Sequence, residues 1–201
     1  MGRKSKSHIR KPEILRHTYK VVEEEGFVGT TITKIASRMG VNSGLLIHYF
    51  KNKDELILAL VDYLLETSIE SYHKLLNGQM TPAQRLKTLI DIFFEPNGKS
   101  PTRGKVYWSC YAMGLRNEKV WKRIQKLNQK FIEFAISEME LYEKAGLIKV
   151  EDKDLAAITA FTIIEGFGYV RYTLGDVQKL DQLSRIMKKQ AMEALGVIDI
   201  K

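Results

Sequence analysis

The side chains that could carry out covalent or metal chemistry are few and scattered. The four histidines, His8, His17, His48 and His73, show no spacing that would bring two imidazoles to one metal ion. Cys110 is the single cysteine and lies in an apolar stretch, so it reads as a small buried hydrophobe. It leaves no intrachain disulfide, which fits a reducing cytoplasm. Neither a nucleophile elbow nor a glycine-rich phosphate loop occurs. Nothing here points to an enzyme, and no catalytic residue, cofactor or metal is expected. The chemistry left is recognition. Small, polar and aromatic side chains gather at Ser43, Gly44, Leu45, His48 and Tyr49, with Lys51 and Lys53 directly after them.

Those residues need a scaffold, and the run Thr31–Phe50 reads as one. Thr31 can cap a short helix that continues to Arg38 or Met39, with Ile32, Ile35, Ala36 and Met39 turned inward. Ala36 is small enough for a second helix to cross closely. Gly40 permits the positive φ of a sharp turn, and Val41 plugs the gap between the two helices. Asn42 then caps a helix through Phe50, anchored to the core by Leu46 and Phe50 at four-residue spacing. Ser43, Leu45, His48 and Tyr49 are left to face outward. This is the arrangement of a helix-turn-helix whose second helix enters a DNA groove.

The charge distribution agrees. The chain of 201 residues carries a formal net charge of +8, and residues 1–56 hold eleven Lys/Arg against six Asp/Glu. Seven basic residues (Arg3, Lys4, Lys6, Arg10, Lys11, Arg16, Lys20) stand against Glu13 alone in the first 20 residues. Beside a helix-turn-helix, such an arm is expected to meet phosphates or a minor groove.

The rest of the chain is expected to be helical. Proline is rare, apolar residues recur at three- and four-residue spacing, and no sustained alternation argues for a strand. Helices are expected over about 8–25, stopped by Gly26, then from Lys53 to about Leu76, and from Thr81-Pro82, a cap followed by an N1 proline. A loop over 95–101 separates these from helices at about 102–114, 118–144, 153–174 and 179–195, with Gly146 and Gly175 as stops. The longest uncharged apolar run, Leu155 to Ile164, is too short to cross a bilayer, and the polar, basic start lacks the apolar core of a signal peptide. A cytoplasmic protein with no membrane contact is expected. The fold class is all-α: a three-helix helix-turn-helix head on a long linking helix, plus a C-terminal helical body. The head and its basic arm span 1–52 and the body 53–201.

The stretch Gly40-Val41-Asn42-Ser43-Gly44, followed by His48-Tyr49-Phe50-Lys51-Asn52-Lys53-Asp54-Glu55-Leu56, resembles the TetR family of bacterial transcriptional regulators. The match spans the first helix through Leu56. The Leu46-Ile47-His48-Tyr49-Phe50 run, the early basic arm and Trp108 look more like the BetI-type, choline-sensing subgroup. The resemblance implies a homodimer that binds a palindromic operator on double-stranded DNA and is released by a small-molecule effector, most often as a repressor. Residue by residue, it implies that Tyr49 and Lys53 hold phosphates with help from Thr33, while Ser43, Gly44, Leu45 and His48 lie along base edges. Lys53 also starts a helix whose free amides favour an anion. The family often has an aromatic where this chain has Ile47, so one groove contact is expected to be missing.

Two features of the body bear on partners. The helix from 153 carries two heptad-spaced lines about 100° apart: Ala156, Ala160, Ile163, Phe167, Val170 and Leu174, and Leu155, Ile158, Thr162, Glu165, Tyr169 and Tyr172. A helix apolar on more than one side must be buried by several neighbours. The resemblance implies that the last two helices pair with their copies, and the first line, with Leu183 and Met187, is the expected dimer seam; the alternative is monomer core. Glu165 interrupts an apolar face shared with Tyr169 and Tyr172, and a buried carboxylate is costly unless paired. It can pair with Arg116 or Arg171, or with a cationic ligand walled by Tyr107, Trp108, Tyr111, Tyr169 and Tyr172.

Overall fold

The computed structural model describes residues 7–76, 78–95, 104–174 and 178–198. Nine helices are present among them: α1 (Ser7–Gly29), α2 (Ile32–Met39), α3 (Ser43–Tyr49), α4 (Lys53–Leu75), α5 (Pro82–Phe94), α6 (Lys105–Gly114), α7 (Glu118–Lys144), α8 (Lys153–Thr173) and α9 (Leu180–Ala194). No strand appears among the described residues, so the chain is all-α as expected. Arg3, Lys4 and Lys6 of the basic arm and the expected stop at Gly175 lie outside the described residues.

The helix ends are fixed by side chains legible in the sequence. The Thr31 hydroxyl accepts the Lys34 amide at 3.2 Å, and Asn42 Oδ1 accepts the Gly44 amide at 2.8 Å. Asn52 Oδ1 accepts the Glu55 amide, and a Glu55 carboxylate oxygen accepts the Lys51 amide, each at 2.9 Å. Thr81 and Gln84 form a reciprocal capping box ahead of Pro82. Asn117 Oδ1 accepts the Lys119 and Val120 amides at the start of α7, and Asp152 Oδ1 accepts the Leu155 amide at the start of α8. Each cap satisfies an amide that a helix leaves unpaired at its start, worth about 1 kcal/mol. The first helix departs slightly from expectation. Helical turns resume beyond Gly26, which sits at φ 72°, so the break is a kink inside α1.

By packing, the chain forms two compact units. One comprises Met1–Ser68 with Thr102–Leu127, the other Ile69–Pro101 with Asn128–Lys201. The first unit therefore reaches beyond residue 52, taking in much of α4, all of α6 and the start of α7. In it α1 packs on α2, α3 and α6, around a core that includes Ile14, Val22, Ile35, Ala36, Leu46, Phe50, Leu60, Val106 and Ile124.

In the second unit α8 packs on α9, and α5 on both. Its core includes Leu86, Ile90, Phe94, Met139, Tyr142, Phe167 and Ala191. An isolated antiparallel bridge, Ile148 to Val197, ties the residues after α9 to the α7–α8 connection, a feature with no sequence signal. Gly196 makes it possible. It sits at φ 63°, and a Cβ there would collide with the carbonyl oxygen of Lys149, whose amide bonds the Gly196 carbonyl at 2.9 Å.

Candidate nucleic-acid interface

The turn between α2 and α3 has the geometry its residues dictate. Gly40 adopts φ 66° and ψ 32°, a left-handed conformation costly for other residues, and nothing lies within 4 Å of where its Cβ would stand. Its role is conformational, not spatial. The Gly40 amide bonds the Ser37 carbonyl at 3.1 Å, and the Val41 amide bonds the Ala36 carbonyl at 3.0 Å, closing α2 with its last carbonyls satisfied. Ala36 is buried, and Val41 packs against the same core.

The inward pair is Leu46 on α3 and Phe50, the extended residue that ends α3 one position earlier than expected, both buried. Lys11 of α1 places its ammonium 5.5 Å from the Phe50 ring centroid and so covers that anchor. Leu45 and Tyr49 are half-buried and pack against the core, and Ser43 is half-buried. The most open positions of α3 are Gly44, Ile47 and His48. The His48 and Tyr49 rings meet edge-on at 5.2 Å between centroids. Ile47, read from the sequence as a missing contact, is 52% exposed and is the large apolar side chain that α3 presents to solvent.

Thr33 is exposed on α2. Lys53, half-buried at the start of α4, donates from Nζ to the Val28 carbonyl at 3.5 Å, which holds its ammonium beside the chain entering α2. The cations of α2 are occupied. Arg38 pairs with Glu24 at 2.6 Å, and Lys34 pairs with Glu25. The surface near α2 therefore carries compensated charge, and Lys53 stands outside those pairs.

The residues expected to meet a ligand fall in different units. In the first, Tyr107 is buried and donates to the Tyr111 hydroxyl at 3.2 Å. The centroids of Tyr107, Trp108 and Tyr111 lie 5.0–5.8 Å from one another, and Trp121, not foreseen from the sequence, meets Tyr111 edge-on at 6.3 Å. Rings this close pack on each other, so a cation would meet their outer faces. In the second unit Glu165 is half-buried, while Tyr169 and Tyr172 are exposed. Arg171 donates to the Glu95 carbonyl at 2.8 Å and lies over the Phe167 ring. Burial pushes the Cys110 thiol up to about 12, so it is neutral at physiological pH. Among the described residues no cluster of His, Cys, Asp or Glu could hold a metal ion, and no helix is long and apolar enough to cross a membrane.

The residues of the expected dimer seam differ in exposure. Ala156, Ala160 and Phe167 are buried within their own unit, and Phe167 (1% exposed) meets the Phe94 ring at 5.6 Å. Ile163, Val170, Leu183 and Met187 are half-buried, and Ile163, Leu183 and Met187 pack against the same core. The exposed residues of α8 include Asp154, Leu155, Ile158, Thr159, Thr162, Gly166, Tyr169, Tyr172 and Thr173, and half-buried Glu165 lies among them, on the line of Ile158, Thr162 and Tyr169. The three threonine hydroxyls among them donate to carbonyls four residues back, so their protons are bonded within the helix.

Two family models match the chain: bacterial regulatory proteins, tetR family, over residues 14–60, and the tetracyclin repressor-like C-terminal domain over residues 81–197. The chain is 24% identical to the HTH-type transcriptional regulator BetI of Stenotrophomonas maltophilia over 131 residues, 65% of this chain and 66% of that one. It thus spans just under two thirds of that relative's length. A TetR transcription regulator from Haloarcula marismortui has the same fold, with a TM-score of 0.77 at 22% identity over 92% of this chain and 98% of that one. So does a transcriptional regulator from Saccharomonospora viridis in complex with choline, with a TM-score of 0.75 at 16% identity over 92% and 96%. The second model alone covers more than half of the residues, and the chain belongs to the TetR family of bacterial regulatory proteins.

Proposed function

We propose that this chain is a cytoplasmic transcriptional repressor that binds a palindromic operator as a homodimer and leaves it when a small-molecule effector binds. The observation that carries the DNA-binding part is the sorting of α3: Leu46 and Phe50 lock it to the core, while Gly44, Ile47 and His48 stay open. Tyr49, Lys53 and Thr33 hold phosphates, and Ser43, Gly44, Leu45 and His48 lie along base edges. Residues 1–52 serve DNA binding, and 53–201 serve ligand binding and dimerisation.

The dimer forms through α8 and α9. The exposed apolar side chains of α8, Leu155, Ile158 and Tyr169, support this, as does Gly166, a mid-helix glycine with nothing within 4 Å of its Cβ position. Such a glycine costs roughly 1 kcal/mol of helix propensity and is useful where a second helix comes close. Two-fold pairing sets two heads at the spacing of successive grooves, so the operator is an inverted repeat.

The effector is a small organic cation. The residues proposed to meet it are, in the first unit, the aromatic group Tyr107, Trp108 and Tyr111 or, in the second, the half-buried Glu165 with Tyr169 and Tyr172. Choline in the Saccharomonospora neighbour supports the cationic class. The effector prefers the conformation in which the heads are wrongly placed; a coupling of about 1–3 kcal/mol lowers operator affinity roughly 5- to 150-fold.

The test is selection of bound duplexes from a random pool by the full-length chain. An enriched inverted repeat with half-sites about 10 base pairs apart, or a multiple of that, supports the reading. Bound DNA with no common sequence would show a nonspecific binder instead.

A further inference from the structure

We propose that Ile47 is a specificity-determining contact of this surface, reading the 5-methyl group of one thymine in each half-site. The inference rests on α3 being the groove helix, and it goes beyond that reading by replacing an expected missing contact with a specific one. Ile47 is 52% exposed although Leu46 on the same short helix and Phe50 at its end are buried almost completely. Among the exposed positions of α3, Ile47 supplies the apolar contact; Leu45, the other apolar side chain proposed to lie along base edges, is half-buried against the core. Gly44 has no side chain, His48 is polar, and Asn42 commits its side-chain oxygen to the Gly44 amide at 2.8 Å.

Helix geometry fixes the shape around it. Side chains on a helix lean toward its N-terminus, over the residues three and four positions back. Ile47 and His48 both lean over Gly44, which leaves a notch walled by one apolar and one hydrogen-bonding side chain. A Cβ on Gly44 would stand 3.2 Å from Asn42 Oδ1, so the notch and the cap that starts α3 depend on the same glycine.

In the major groove, thymine is distinguished from cytosine by an acceptor at O4 and by its 5-methyl, the one apolar group on a base edge. The notch offers a partner for each: an imidazole N–H for a base acceptor, and the Ile47 methyls for the thymine methyl. An aromatic hydroxyl at this position would favour a polar contact, and isoleucine removes that option.

The experiment uses the full-length chain and a duplex enriched from a random pool, with each thymine replaced singly by deoxyuridine, which deletes only the methyl. Affinities are measured for the wild type, Ile47→Ala and Ile47→Val. The wild type is expected to lose affinity about fourfold at one thymine per half-site, the value of one buried methyl. Ile47→Ala should bind the thymine duplex more weakly by a similar factor and be indifferent to deoxyuridine at that position, with Ile47→Val between the two. Equal sensitivity of all three proteins at every thymine overturns the contact while leaving DNA binding intact. Failure to enrich any duplex overturns the DNA-binding reading and this contact with it.

Discussion

At the scale of single residues, the site depends on which side chains the fold keeps open, and sequence position alone only partly tells. The inward residues Leu46 and Phe50 were legible because four-residue spacing puts them on one helix face. Their neighbours were not equally legible. Leu45 and Tyr49, read as outward, are half-buried against the core, while Ile47 is open. A seven-residue helix wedged against α2 has an arc of partial burial that periodicity does not resolve. Gly44 gives a sharp test. Gly44→Ala places a methyl 3.2 Å from the capping oxygen of Asn42 and into the proposed notch. The lost cap, about 1 kcal/mol, is offset by a similar gain in helix propensity, so the melting temperature is expected to change by no more than a few degrees while operator binding weakens by more than any stability loss explains. Calorimetry and anisotropy on the same protein separate the two effects. Cys110 gives a second test. A thiol raised to about 12 by burial carries almost no thiolate at pH 8. Its alkylation by iodoacetamide is expected to be far slower in the native protein than in denaturant. Comparable rates would mean that α6 opens readily.

At the scale of elements, nearly every helix was legible, because caps and stops are written in short-range residues such as Thr31, Gly40, Asn42, Thr81-Pro82 and Asp152. What holds the elements together was less so. Arg85 of α5 grips Glu138 of α7 with two nitrogens, one at 3.0 Å, and its remaining nitrogen donates to the Leu76 carbonyl at 3.1 Å, just past the end of α4. Tyr142 donates to the same carboxylate at 2.8 Å. Glu138 is buried, so removal of its partner leaves an uncompensated charge. Arg85→Ala is expected to cost roughly 3–5 kcal/mol in denaturant unfolding, well beyond a surface ion pair such as Lys74–Glu70. Burial, then the negative charge and hydrogen bond of Glu138, raise the Tyr142 hydroxyl above its usual value near 10. The folded state therefore holds that proton more tightly than the unfolded chain. The resulting stability is fully present below pH 10 and is lost as the pH rises above it. Unfolding free energies from pH 8 to 11 are expected to fall in the wild type and to fall less steeply in Tyr142→Phe.

At the scale of the whole molecule, the least legible feature is which face of α8 the chain leaves open for the proposed dimer. Both lines of α8 are apolar, and composition does not say which is covered by the chain's own helices. The structure covers Ala156, Ala160 and Phe167, and leaves Leu155 (61%), Ile158 (50%) and Tyr169 (56%) exposed. Two substitutions on one helix should therefore behave oppositely. Ile158→Glu places like charges across a two-fold seam without touching the core, so a folded monomer is expected by light scattering. Phe167→Glu buries a charge beside Phe94 and is expected to unfold the unit instead. A folded dimer from Ile158→Glu would move the seam off this face. For the effector, Glu165→Gln keeps shape and removes charge. It is expected to reduce thermal stabilisation by quaternary ammonium compounds far more than by neutral compounds of similar size. Equal loss for both would remove the cationic reading.

The central claim is that α3 reads DNA while Tyr49 and Lys53 hold its phosphates. The most direct measurement is fluorescence anisotropy of the full-length chain on its selected duplex and on a scrambled one, across a series of salt concentrations, for the wild type, Tyr49→Phe and Lys53→Ala. The wild type is expected to prefer the selected duplex by about a thousandfold or more. Both variants should bind the two duplexes more weakly, with that preference kept. Lys53→Ala should also flatten the dependence of log affinity on log salt by about 0.9, the loss of one phosphate contact. Equal wild-type affinity for the two duplexes, or unchanged affinity and salt slope in both variants, would contradict the account.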